Sequence, residues 1–237
     1  MRFREPTRVA IAAEPSRNFT WDMRNLSATL IVFLGGFAIM VLEIVGARYL
    51  AKDFGSSFYV WVSQIGVVLI ALALGYAIGG ALADRYRRLR FLGWWLVPTG
   101  LLTLFIPVWS APLIEAIIYR HPVEEPIPLL WRKLDPALGS GLVFLLPCFV
   151  LATLSPYMIR LAAQQLAHVG RISGLVFAAS TVGSVVGVVL SGYVLIDHMK
   201  LSTIFQVTGG LIVCLGGACF ILDPLFTSPK SAGSSSK

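Results

Sequence analysis

Six stretches of this chain, residues 26–50, 58–83, 91–109, 138–161, 173–196 and 201–222, are apolar almost without interruption. A helix needs about 20 such residues to cross the hydrocarbon core of a bilayer. Strands do not explain runs of this length, because unpaired strand edges are not tolerated in lipid. A transmembrane barrel alternates apolar with polar residues, and these runs do not alternate. The composition agrees: 57% of residues are hydrophobic and 13% charged, where a soluble domain carries about 25% charged residues. A soluble globular domain and a disordered chain are both excluded. The expected fold is all-α, a polytopic membrane protein of six transmembrane helices. It divides into a cytoplasmic N-terminal tail at 1–25, a transmembrane domain at 26–222 with an external loop at 110–137, and a flexible cytoplasmic C-terminal tail at 223–237.

The formal net charge of +7 belongs to topology and not to nucleic acid. The basic residues lie in short clusters between apolar runs, with no basic stripe interleaved with aromatics. With the N-terminus inside, thirteen Lys and Arg face the cytoplasm. They include Arg2, Arg4, Arg8, Arg17, Arg24 and the cluster Arg85, Arg87, Arg88 and Arg90. Six face outward: Arg48, Lys52, Arg120, Arg132, Lys133 and Lys200. That asymmetry predicts both termini in the cytoplasm. The polar first 25 residues read as a tail and not as a signal peptide, whose apolar region would follow its basic start closely. Trp61, Trp94, Trp95 and Trp109 lie near the ends of the runs, where an amphipathic ring prefers the interface. Within the external loop, residues 113–119 read as a short interfacial helix and the rest as coil punctuated by Pro122, Pro126, Pro128 and Pro136. The bilayer is the expected partner.

Cys148, Cys214 and Cys219 lie within apolar runs, and His121, His168 and His198 are far apart. No disulfide, metal or cofactor is expected. Small residues recur every four positions at Ala71, Gly75, Gly79 and Ala83, and again at Gly183, Gly187 and Ser191. Helices in lipid associate through such close approaches, so these positions are expected to pack helix on helix. Sliding surfaces are the second reading.

Glu43 lies about two thirds along the first run, where an ionisable group costs about 2.5 kcal/mol or more on insertion scales. It reads either as a proton or cation site or as half of a structural pair. Arg48 is a poor partner, because five residues turn about 140° around a helix. Gln64, Ser63 or Tyr59 on the second run are the alternatives. Pro147 and Pro156 interrupt the fourth run, as a broken helix at a site or as simple kinks. Asp197 and His198 close the fifth as interfacial residues or as a gate.

The segment Gly80-Ala81-Leu82-Ala83-Asp84-Arg85-Tyr86-Arg87-Arg88 resembles the loop signature of major-facilitator transporters, Gly-x-x-x-Asp-Arg-x-Gly-Arg. Gly80, Asp84, Arg85 and Arg88 fit it; Arg87 replaces the glycine. The chain also resembles the membrane domain of the bacterial membrane-bound spermidine synthase family. The residues that carry this are Glu43 to Arg48, Phe54-Gly55-Ser56-Ser57, the glycine-rich second run into Asp84-Arg85, and Gly170-Arg171 through Ser180 to Gly187 and on to Leu195. Ser180 stands where an asparagine is usual, and Asp197 where a proline is. The resemblance implies a six-helix bundle like half of a major-facilitator transporter in the bacterial inner membrane. A soluble aminopropyltransferase domain follows the helices in that family. Only fifteen residues follow Leu222 here, so no catalytic activity is expected. Two functions remain open: a small-solute, amine or cation transport or binding subunit working as a homodimer, and a non-catalytic scaffold packed against other membrane-protein subunits.

Overall fold

A computed structural model describes residues 23–122, 126–163 and 169–227, and among these every regular element is helical. Residues 1–22 of the expected N-terminal tail, His168 and the C-terminal tail beyond residue 227 lie outside the described residues, while Met23, Arg24 and Asn25, expected in that tail, already belong to the first helix. The helices are α1 (Met23–Phe54), α2 (Phe58–Tyr86), α3 (Leu89–Leu104), α4 (Ile106–Ile118), α5 (Leu129–Ala152), α6 (Leu154–Ala162), α7 (Val169–Leu190), α8 (Ile196–His198) and α9 (Leu201–Phe226). One π-helical turn, Ser191–Leu195, joins α7 to α8. Five helical segments are long and apolar enough to cross a membrane: α1, α2, the α5–α6 run, the α7–α8 run and α9. The pair α3 and α4 makes a sixth if it counts as one span, but it bends by 69° at Phe105. Pro107 explains the bend. Its ring lacks an N–H and clashes with the carbonyl one turn back, so the helix stops and restarts.

Three expectations are corrected here. The third run is not one straight helix to Trp109, because it breaks at Phe105. The loop expected at 110–137 is mostly helix: α4 continues to Ile118 and α5 begins at Leu129. The short helix at 113–119 is thus the end of a longer one. The tail expected from residue 223 begins later, since α9 runs to Phe226 with Pro224 inside it.

Packing is by pairs. α1 lies along α7, α2 along α5, and α3 along α9, with α1 also touching α5 and α9. In the most apolar stretch of α1, 61% of residues are buried, as in the α5–α6 run, against 17% in the α7–α8 run. The first two are therefore the centre of the bundle and the last is its rim. Exchanging each of the first three segments with the one three places later preserves these pairings: α1 with α7 becomes α5–α6 with α2. With the bent α3–α4 pair counted as one segment, three segments per unit make the two units opposite in direction.

The glycines show how close the pairs come. A Cβ on Gly75 would fall 2.6 Å from the Phe149 carbonyl oxygen, and one on Gly79 2.8 Å from Thr153 Cα. On Gly183 it would collide with the Phe33 carbonyl, and on Gly187 it would come within 2.6 Å of the Phe37 carbonyl oxygen. All four expected packing glycines are helix-on-helix contacts. Between α3 and α9 the same role falls to Gly93, Gly100, Gly209 and Gly216.

Candidate functional site

The centre of the bundle holds few polar groups, so each has to be accounted for. Gln64 on α2 is fully buried. Its Oε1 accepts from Ser140 Oγ of α5 at 2.6 Å, and its Nε2 donates to the Leu42 carbonyl of α1 at 3.4 Å. Gly46 makes room for this side chain: a Cβ there would lie 2.6 Å from Gln64 Nε2. Gln64 therefore ties three helices together and is not bonded to Glu43. Arg48 is exposed and makes no ion pair with Glu43. Among the described residues no hydrogen bond or ion pair reaches Glu43. Its carboxylate is half-buried, and the buried Cys148 thiol of α5 feels its charge. Of the three residues expected to form one intramembrane site, the structure leaves Glu43 as an unpaired acid, Gln64 as an interhelical tie, and Arg48 on the surface.

The loop signature sits at the end of α2. Asp84 Oδ1 accepts from Arg160 Nε of α6 at 2.5 Å, but both side chains are largely exposed, so this pair contributes little to stability. Asp84, Arg160, Gly80, Pro156 and Val169 line a cavity of about 320 Å³. A Cβ on Gly80 would meet nothing, so that glycine is not required by packing. Arg85 lies 5.7 Å from the ring centroid of Tyr86. The Arg88 carbonyl accepts from Tyr157 Oη at 2.9 Å. Arg87, in the signature's glycine position, has φ +45°. The position demands the left-handed region, where glycine is at no disadvantage.

Two polar clusters escaped the sequence. At the far end of the bundle Asp135, 5% exposed, pairs with Arg120 and accepts from His121 Nε2 at 2.8 Å. Arg120 in turn lies 4.1 Å from the Trp131 ring centroid. These groups close the α4–α5 connection over a cavity of about 200 Å³ that also touches Asp53, Ser57 and Tyr59. An Asp-Pro step at the start of an apolar run was the available signal. At the near end Asp223 of α9 accepts from the Arg90 N–H at 3.0 Å, placing a carboxylate on an orphan donor of the α3 N-terminus. Pro147 lies inside α5 and Pro156 inside α6, and the break between the two helices falls at Thr153 within one span-length run. His198 Nδ1 donates to the Val194 carbonyl at 2.8 Å, and Asp197 is exposed. No cluster of three metal-ligating side chains occurs among the described residues. Comparison with family models, with curated proteins and with solved structures found no match for this chain.

Proposed function

We propose that the chain is a bacterial inner-membrane transport or binding subunit for a small cation or amine, without catalytic activity, and that Glu43 is its charge-selecting group. One observation carries this reading. Glu43 is a half-buried carboxylate within an apolar helix, and no side chain of the described bundle bonds to it. A carboxylate kept in such a place without a structural partner is a functional site by default. The pairing of two three-segment units of opposite direction supports the likeness to half of a major-facilitator transporter, whose halves carry nested inverted repeats. The likeness to the membrane domain of spermidine synthase-like proteins supports an amine as the solute.

The test is uptake of a labelled primary amine by vesicles reconstituted with wild type and with Glu43→Gln. The variant keeps the volume and removes the charge. It is expected to unfold at the wild-type temperature and to lose uptake. Normal uptake by a well-folded Glu43→Gln protein removes the residue from the mechanism.

A scaffold role is the second reading, favoured by the α7–α8 run. That run exposes Phe177, Val182, Val185 and Tyr193 on the rim, where another subunit would pack. Mass determination in mild detergent separates the two: a homodimer accords with transport, and a fixed set of other subunits with a scaffold.

A further inference from the structure

Hydroxyls inside the helices of this bundle generally turn back on their own backbone. Ser27, Thr29, Thr99, Thr103, Thr181 and Thr208 each donate to the carbonyl four residues earlier, the usual refuge of a hydroxyl in an apolar helix. Ser191 does not. It is fully buried, and its Oγ has no hydrogen-bond partner among the described residues. Leaving a buried hydroxyl unpaired is costly, and such an exception calls for an explanation.

Its position supplies one. Ser191 opens the π-helical turn, a feature often found at functional sites. It also continues the stripe of Gly183 and Gly187, which face α1. α1 and α7 run parallel: Gly183 meets Phe33, and Gly187 meets Phe37 and Met40. In the same register Ser184 Oγ donates to the Gly36 carbonyl at 3.4 Å. Seven residues return a helix to within about 20° of the same face. Advancing both helices by seven carries Ser184 to Ser191 and Gly36 to Glu43. By this register the unpaired hydroxyl and the unpaired carboxylate fall at one level of the helix pair, where the π-helical turn touches α1.

We propose that Ser191 and Glu43 are the two sides of one intramembrane site for a small monovalent cation. The carboxylate supplies the compensating charge, and the hydroxyl, an acceptor in either case, supplies a second oxygen. An ammonium ion and a bare sodium ion share this chemistry. This inference rests on the reading of Glu43 as a cation site and adds the residue that completes it.

The experiment is thermal unfolding of the purified full chain in detergent, titrated with methylammonium chloride or with sodium chloride against a choline chloride control at equal ionic strength. Wild type is expected to gain stability saturably with one of the two small cations, and Glu43→Gln to gain none. Ser191→Ala is expected to unfold at or above the wild-type temperature without ligand, since it loses no bond, and to need about tenfold more cation for the same gain. Ser191→Cys, closer in volume, is expected to be weakened similarly. Ser184→Ala, whose hydroxyl is already committed to Gly36, is expected to bind as wild type. If Glu43→Gln abolishes binding while Ser191→Ala binds as wild type, the role of Ser191 is overturned and the reading of Glu43 stands. If Glu43→Gln binds as wild type, both fall. Ligand-free destabilisation by Ser191→Ala would mean a structural partner for the hydroxyl and would overturn the proposal. So would equal weakening by Ser184→Ala, which would mean general loosening of the helix pair.

Discussion

At the scale of single residues, two positions make opposite demands. Arg87 holds the left-handed conformation at the C-terminus of α2, donating its N–H to the Ala83 carbonyl at 3.3 Å. A non-glycine residue there costs about 1–2 kcal/mol, and the side chain is exposed, so little packing offsets the strain. Arg87→Gly is expected to stabilise the protein by about 1 kcal/mol, and Arg87→Val to destabilise it, both read from thermal unfolding in detergent. An unchanged midpoint in both would mean that the backbone relaxes at no cost. Gln64 is the reverse case, a side chain whose bonds join three helices. Interhelical hydrogen bonds in membranes average only about 0.6 kcal/mol and reach about 1.7. A double-mutant cycle of Gln64→Leu and Ser140→Ala should therefore return a coupling within that range, the single Gln64→Leu being worse because it strands the Ser140 hydroxyl. Additive effects would show that the 2.6 Å contact carries no energy.

At the scale of helices, adjacent glycines on α2 separate packing from propensity. Gly79 presses on Thr153 of α5–α6, whereas Gly80 faces open space. Gly79→Ala is expected to destabilise by about 1–3 kcal/mol through overpacking. Gly80→Ala is expected to stabilise by about 0.5–1 kcal/mol, because it removes only glycine's conformational entropy. Thermal unfolding of both variants decides it; equal shifts would mean that α2 does not pack in this orientation. The four-residue spacing already marked Gly75, Gly79, Gly183 and Gly187 as contacts, because small residues on one helix face are a local signal. It did not say which helix each one meets, which is a property of the whole chain. The breaks were less legible. Pro147 and Pro156 drew attention in the sequence, yet the large bend lies at Phe105, beside a proline near a helix start. Proline bends a helix only where packing lets the two halves diverge. Gln64 was visible as a buried polar residue, but the nearest acid on the sequence map was not its partner. The π-helical turn at Ser191 left no signal, since no side-chain pattern distinguishes a bond to the fifth residue from one to the fourth.

At the scale of the whole molecule, the proposed orientation with both termini cytoplasmic rests on a narrow margin within the described helices. Arg24, Arg85, Arg87, Arg88, Arg90, Arg160 and Arg171 lie at the end of the bundle where α1 begins, α2 ends and α9 ends. Arg48, Lys52, Arg120, Arg132, Lys133 and Lys200 lie toward the other. Seven against six is a weak bias for a rule that counts basic residues and largely ignores acids. The margin comes from Arg2, Arg4, Arg8, Arg17, Lys230 and Lys237. These six precede α1 or follow α9 in the sequence, and six crossings would put the outer ends of those two helices on one side. On this count the basic residues of the two ends, and not those of the helices, would set the orientation. A cytoplasm-active reporter at Lys237 is expected to be active and one inserted near Pro126 inactive. With Arg2, Arg4, Arg8 and Arg17 all changed to Gln, nine basic residues would remain on the first side against six, and the Lys237 reporter is expected to lose activity in part as a fraction of chains inserts the other way. Full activity in that variant would mean that the cluster Arg85–Arg90, and not the tail, holds the orientation. An inactive reporter at Lys237 in the unmodified chain would reverse the topology and place Asp84 and Arg160 outside.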